Sequence, residues 1–376
     1  MLEFLTLKPK AFGLDISDLS LKIVELKKKR GVPSLSSFGE ENIRPGIIKK
    51  GEIEKEDDLV EIIKAAMDKV QGKRIKTKYV VTSLPEEKAF FQVIQMPKIP
   101  PEDLKSAVIY EAENYIPLPI ESVYLDFQVI PPLHNHLGHF DVLIAAMPKQ
   151  TIDSYVSSLK KAGLEPIALE IESLAIIRAL IKNETTTAPV LLIDFGATRT
   201  SFIIFSGHSL RFTSSIAVSS EHFTEIISKT LGVDFIEAKK LKIKYGLEEK
   251  IKLKIKSEGS NIKKERGKIF EALIPVLVDL IQQIKKHLYY YQTHATHEHL
   301  PPGENRVSKI LLCGGGANLK GLPEFLSSEL KLPVELGNPW INILSKGQKN
   351  ISKFPQKETL RYATALGLAL RGIKGE

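Results

Sequence analysis

Two distant stretches of this chain carry one local plan. Residues 191–205 read LLIDFGATRTSFIIF, and residues 11–26 read AFGLDISDLSLKIVEL. In each, an apolar, strand-like run ends in a carboxylate, Asp194 or Asp15, and a short polar turn leads into a second apolar run. An uncompensated charge at the end of a buried strand is costly, so each acid calls for a cation or a phosphate–metal complex. A strand–Asp–turn–strand unit that recurs far along one chain predicts two related halves facing each other across a cleft.

Composition narrows what such halves belong to. With 376 residues the chain can build two or three subdomains around a large core. Lys and Arg outnumber Asp and Glu by 53 to 45, a formal charge of +8. The excess is spread along the chain, without an aromatic platform or groove-reading helix, so it reads as solvated surface and no nucleic-acid partner is expected. Cys313 is the single cysteine, which rules out an intramolecular disulfide and fits a reducing compartment. The opening MLEFLTLKPK is too short and broken for a signal peptide. No apolar run approaches the roughly 20 residues of a membrane-spanning helix, so the expectation is a cytoplasmic protein, held at a membrane only through a partner.

Between the two acids the character changes. FFQVIQMPK (90–98) reads as a strand, and PPEDLKSAVIYEAENYI (100–116) as a helix with Pro101 in its first turn and Glu102 and Asp103 at its positive end. Leu104, Val108, Ala112 and Tyr115 are expected on one face. Strands at 124–130 and 140–146 and a helix at about 149–162, which leads into a strand at 165–171, complete a β-α-β-β-α unit inserted into the first half. After the second acid, helices are expected over roughly 219–245. The Lys-rich tract EEKIKLKIKSEGSNIKKERGK (248–268) reads as an exposed hairpin or mobile insertion. A helix follows at 270–291, with Leu277, Ile281, Ile284 and Leu288 on one stripe. The strand VSKILLC then runs into a glycine turn, GGGANLKG, and a helix, an arrangement that brings backbone N–H groups close to a ligand. A last helix at about 358–371 carries Ala363, Ala365, Gly367 and Ala369, small enough for close packing. The boundaries expected are a first lobe at 1–87 and 168–188, the insert at 88–167, a second lobe at 189–355, and a C-terminal helix at 356–376 returning to the first lobe.

Two Asp-bearing hairpins and a Gly-rich turn can hold a hydrated Mg²⁺ against phosphates, since Mg²⁺ prefers hard oxygens and keeps several waters. At this point the sequence resembles the actin, heat-shock chaperone and sugar-kinase superfamily. Within it, the chain is similar to the PilM family of type IV pilus assembly proteins, itself similar to the cell-division protein FtsA. MPKIPPEDLKSAVIYEAENYIPLPIESVYLDF resembles that family's inserted subdomain. IKKHLYYYQTH, KILLCGGGANLKGLPEFL and the downstream NPW resemble its C-terminal half. The resemblance implies an α/β, actin-like, two-lobed ribonuclease-H-type fold with an inserted α+β subdomain. It also implies ATP and Mg²⁺ as ligands, with Asp15 and Asp194 meeting the metal through water. Asp15, Ser17 and Lys22 match the first phosphate turn, and Asp194, Gly196, Ala197, Thr198 and Thr200 the second. Gly314, Gly315, Gly316 and Asn318 match the adenosine turn, Lys239 and Lys242 the positions near ribose and base, and Glu172 a glutamate that orients attacking water. The implied role is an ATP-binding scaffold that holds the N-terminal cytoplasmic segment of the inner-membrane protein PilN. Other pilus inner-membrane and motor proteins, and self-association, are further partners it implies.

The match has departures. Ser17 stands where the family has glycine, Asp18 where it has a small hydroxyl residue, Ala197 where relatives often have glycine, and Lys239 where a ribose acid is expected. A second acid beside phosphates opposes binding unless its side chain turns away. The expectation is therefore ATP binding with weak or absent hydrolysis. The rivals are a working ATPase or small-molecule kinase of the same fold, and an actin-like component of type II secretion. Simpler readings also stand: Asp194 as a turn cap, Glu172 as a dipole partner of its helix, and the glycines as a plain connection. The histidine groups His134, His136, His139 and His294, His297, His299 lack metal-ligand spacing and read as surface residues.

Overall fold

The computed structural model describes residues 9–29, 31–131, 138–247, 260–294, 305–344 and 356–374. Two compact units emerge: Met1–Thr186 with Gly207–Arg211 and Asn338–Glu376, and Thr187–Ser206 with Phe212–Gly337.

The first unit is built on β1 (Phe12–Ile16), β2 (Ser20–Lys29) and β3 (Val32–Asn42), an antiparallel meander. A short hairpin follows, β4 (Ile48–Lys49) and β5 (Glu52–Ile53), then α1 (Glu56–Asp68), β6 (Gln71–Gly72) and β7 (Tyr79–Leu84). β8 (Phe90–Pro97), α2 (Pro101–Ala112), β9 (Val123–Ile130) and β10 (His139–Pro148) form a separate three-stranded sheet, ordered β8-β10-β9, with α2 packed on one face. Then come α3 (Lys149–Lys161), β11 (Glu165–Ile171) and α4 (Glu172–Leu180). The main sheet has the order β11-β7-β1-β2-β3-β6, with β7 parallel to both β1 and β11. Thus α3 and the start of β11, expected inside the insert at 88–167, belong by contact to α1 and to the main sheet.

Strand alternation sorts this unit's core. Phe12, Leu14 and Ile16 point to one face, where Leu59 and Ile63 of α1 and Tyr155 and Leu159 of α3 cover them. Ala11 and Gly13 point to the other, under α9 (Ala363–Lys374). There the approach is very close: a Cβ on Gly13 would lie 2.4 Å from the Ala365 carbonyl oxygen, and one on Gly367 would lie 1.8 Å from that of Ala175 in α4. The small residues expected to permit close packing do so.

α2 ends at Ala112, before Tyr115, and its apolar stripe is completed by Ile116, which is buried, while Tyr115 is exposed. The chain leaves α2 through a tight turn in which the Tyr115 and Ile116 N–H groups both reach the Ala112 carbonyl, and Ile116 keeps the i+4 spacing of Val108 and Ala112.

The second unit repeats the strand order of the first. β12 (Thr186–Phe195), β13 (Thr200–Gly207) and β14 (Ser209–Ile216) lie in sequence order beside β15 (Lys309–Cys313) and β16 (Val334–Leu336), as β14-β13-β12-β15-β16. β15 is parallel to β12 and to β16. Its helices are α5 (Ser220–Leu231), α6 (Phe235–Tyr245), α7 (Ser260–His294) and α8 (Leu322–Leu330). Gly232, at φ +66°, ends α5, and the Asp234 carboxylate caps α6 by accepting the Glu237 N–H at 2.8 Å. Leu277, Ile281 and Ile284 are buried along α7 as the stripe predicted. The helix starts at Ser260, however, so the end of the Lys-rich tract is helical; residues 248–259 of that tract lie outside the described residues, as do His134, His136, His297 and His299. Lys, Glu and Arg are good helix formers, and reading charge alone hid that. Among the described residues no helix is long and apolar enough to cross a membrane.

Candidate functional site: two acid-bearing turns

In the first unit, Asp15 ends β1 and sits opposite Lys22 in the antiparallel register of β1 and β2. The Lys22 ammonium is 3.6 Å from the Asp15 carboxylate and donates to Ser20 Oγ at 2.7 Å, and both charged side chains are buried. Ser83, at the end of β7, donates its hydroxyl to Asp15 Oδ1 at 3.1 Å and accepts the Ile16 N–H at 2.9 Å. Ser17 closes the turn onto Ser20, its N–H donating to the Ser20 carbonyl at 2.9 Å and its hydroxyl to the same oxygen at 3.0 Å. Asp15, Ser17 and Lys22 are therefore one hydrogen-bonded group, and this acid's charge is met from within its own hairpin.

Asp18 turns aside. Its two carboxylate oxygens accept the N–H groups of Gly51 (3.0 Å) and Lys50 (3.2 Å), the two central residues of the β4–β5 hairpin. Both have positive φ, +50° at Lys50 and +74° at Gly51, as a two-residue hairpin turn demands. A lysine rarely adopts that conformation, and the buried carboxylate holds it there. A Cβ on Gly51 would also lie 2.4 Å from Pro85, and Tyr155 donates its hydroxyl to the Gly51 carbonyl at 3.2 Å.

Pro85 opens a short 3-10 turn, Glu86–Lys88, that meets α4. Glu86 Oε2 accepts the Ser173 N–H at 3.3 Å, and Glu172 Oε2 accepts the Glu86 N–H at 3.4 Å. The cap position of α4 is Ile171, which has no side-chain acceptor, so Glu86 serves as its cap from a distant segment. Glu172 is buried and engaged in this reciprocal bracket.

In the second unit, Asp194 sits opposite Cys313 in the parallel register of β12 and β15. The buried Cys313 thiol hydrogen-bonds the Asp194 carboxylate, and burial together with that negative charge pushes the thiol well above its usual range. The register of β1 and β7 places Ser83 opposite Asp15 in the same way, since Leu14 pairs with Thr82. Each acid thus takes a hydrogen bond from the residue facing it near the end of the equivalent parallel strand. Ser83 escaped the sequence reading; the signal was a hydroxyl-bearing strand end, TSLP, matching the thiol before the glycines in LLCG.

Three further pieces gather around Asp194. Gly196 donates its N–H to the Arg199 carbonyl at 2.9 Å, and the Gly196 and Ala197 carbonyls accept the N–H groups of Ser220 and Glu221, both at 3.0 Å, which ties the turn containing Thr198 to the start of α5. Thr200 is buried, its hydroxyl donated to the Val218 carbonyl at 2.6 Å, so it anchors the turn through the core. From α6, Lys242 reaches Ser220, donating to its hydroxyl at 2.8 Å and to its carbonyl oxygen. Burial, then the nearby Lys239 charge, drop this ammonium to about 8, against a smaller upward pull from Glu221. Lys239 itself is exposed.

The three glycines differ. Gly314 has φ +82°, and a Cβ there would lie 2.2 Å from Asp194 Oδ1; one on Gly316 would lie 2.7 Å from the Phe195 ring. These two are glycines because the turn packs against the Asp194–Phe195 peptide. Gly315 meets nothing within 4 Å and is the one that leaves open space. Asn318 is exposed and its amide lies 3.5 Å from the Gly315 carbonyl. Among the described residues no group of three or more His, Cys, Asp or Glu side chains could hold a metal ion.

A family model described as type IV pilus assembly protein PilM matches residues 13–373. Among solved structures, that of a PilM–PilN type IV pilus biogenesis complex is 28% identical, covers 98% of this chain and 99% of that one, and superposes with a TM-score of 0.77. MreB5 of Spiroplasma citri, bound to AMPPNP, is 14% identical over 98% of this chain and 97% of its own, with a TM-score of 0.53, and shares the fold. The cell division protein FtsA of Pseudomonas aeruginosa is 24% identical over 241 residues, 62% of this chain and 53% of that protein. The chain spans about half the length of the curated relatives it matches. The actin-like α/β fold expected from the sequence is the one found.

Proposed function

Since the chain belongs to the type IV pilus assembly protein PilM family, we propose that it is the ATP-binding scaffold of a pilus assembly complex and that it holds the N-terminal cytoplasmic segment of PilN. What supports the partner is the near-complete likeness to the PilM–PilN complex. In this reading the protein is cytoplasmic, and PilN keeps it at the inner membrane. Other pilus inner-membrane and motor proteins, and further copies of this chain, are the remaining partners.

The observation that carries nucleotide binding is Lys242. Among the described residues, this buried ammonium, tied through Ser220 to the Gly196–Thr200 turn, hydrogen-bonds only neutral Ser220 oxygens, an arrangement that an incoming anion would stabilise. The nucleotide would be read by Asp15, Ser17 and Lys22 in one unit. In the other, Asp194, the Gly196–Thr200 turn, Lys239, Lys242, Gly314–Gly316 and Asn318 would read it. Mg²⁺ fits as a hydrated ion: Asp15 already meets Lys22 and Ser83, so it would act on metal-bound water, as would Asp194 from its place beside Cys313. When bound, the metal would screen phosphate charge. For water orientation the candidate is Glu172, held by Glu86.

The experiment is calorimetry with two titrants. ATP affinity should be highest below pH 8 and fall by up to tenfold per pH unit above it, as Lys242 loses its proton, and Lys242→Met should flatten that profile. A profile unchanged by the substitution rules out the Lys242 role. A synthetic N-terminal PilN peptide should bind at micromolar concentration, and no heat at high micromolar concentration overturns the scaffold assignment.

A further inference from the structure

α6 has two faces. Ala238, Lys242 and Tyr245 are buried on one of them. On the other, positions 236, 240, 243 and 244 follow the spacing of a single helical face. Ile236 is 68% exposed and Ile243 63% exposed, beside Phe235 at 38%, and the lysines among them, Lys240 and Lys244, are exposed too. Lys240 makes one exposed pair with Glu237 at 3.5 Å, and Lys244 lies over the Tyr245 ring at 4.6 Å. Two branched aliphatic side chains thus stand in solvent between lysines on one helical face.

We infer that this face of α6 docks on an anionic lipid surface. Charge complementarity selects the occupant. The helix stands in a stretch of sequence rich in positive charge, since residues 248–268 contain eight lysines and arginines against four glutamates, and the whole chain carries +8. Lysine is depleted from protein–protein interfaces, whereas aliphatic residues flanked by lysine are the pattern of helices that lie in a membrane interface. Ile236 and Ile243 would enter the headgroup–acyl boundary, and Lys240 and Lys244 would reach lipid phosphates with their stems along the apolar surface. Without a spanning helix among the described residues, such contact is peripheral and reversible. The inference stands apart from the nucleotide reading, which uses Lys239 and Lys242 of the same helix.

Flotation of the full chain with vesicles, in the absence of nucleotide and peptide, tests it. The chain should float with vesicles of phosphatidylcholine and phosphatidylglycerol in equal amounts, stay behind with phosphatidylcholine alone, and be released by salt. Ile236→Ser with Ile243→Ser should lower the bound fraction severalfold, and Lys240→Gln about fivefold in partitioning. Ile274→Ser with Val278→Ser, a second pair of exposed aliphatics on α7, should leave it unchanged. Equal binding to both vesicle types, or equal loss in the α6 and α7 variants, overturns the inference. So does self-association without vesicles that the α6 substitutions abolish, which would make this face a protein interface.

Discussion

The two acid-bearing turns occupy the same place in the same strand order, yet they treat charge differently. In the first, Asp15 is answered by Lys22 across its own hairpin and by a serine hydroxyl. In the second, the residue at the same offset from the acid is Ser201, whose hydroxyl pairs with Ser215, and Asp194 meets a thiol. A buried cation from α6 bonds Ser220. A duplicated backbone therefore carries two settings: one turn in which a lysine across the hairpin faces the acid, and one in which a thiol faces it and a buried lysine from another helix bonds the start of α5. The extra acid of the first turn, Asp18, keeps its charge, but its oxygens are committed to the Lys50–Gly51 hairpin.

That contrast can be broken at several points. The largest effect is expected at Gly314, where any side chain collides with Asp194 and requires positive φ; Gly314→Val should cost roughly 3 kcal/mol or more in a denaturant titration. The first unit has no equivalent glycine, since Leu84 follows Ser83, so no matching loss is available there. Removing the acids comes next and should be asymmetric. Asp15→Ala strands the buried Lys22 ammonium and should cost about 3 kcal/mol, while Asp194→Ala takes the acceptor from a buried, neutral thiol and should cost less, read by the same titration. Equal losses would erase the distinction drawn here. Smallest is the pair of donors. Ser83→Ala should cost about 1.5 kcal/mol, because it releases both the Asp15 carboxylate and the Ile16 N–H, and Cys313→Ser should change stability by under about 1 kcal/mol.

Much of this was legible before any coordinates, for identifiable reasons. Asp15 and Asp194 stand out because an acid closing a buried strand breaks a strong apolar pattern, and the pattern repeats. Pro101 with its acidic neighbours and the stripe on α7 are local signals, and they hold. What stayed hidden depends on register or on distant contacts. The partner of Asp18 lies more than thirty positions away, and nothing in SDLS announces a hairpin at Lys50. Thr200 reads as a phosphate-facing hydroxyl, and only its place at the start of a strand buried on both faces turns it toward Val218. Gly314 and Gly316 look like ligand glycines in sequence, and their close packing against Asp194 and Phe195 is a second demand for glycine that the sequence does not announce.

The closeness of α9 to β1 has a consequence for biosynthesis. Ala11 and Gly13 are made long before the helix that covers them: among the described residues α9, with Ala365 and Gly372, follows every strand of both units. Throughout translation the earliest strand carries an uncovered apolar face, while the whole of the second unit can already complete its own sheet. Such long-range closure is slow and leaves nascent chains open to misassembly, so the first unit is the one whose yield in the cell should depend most on chaperones.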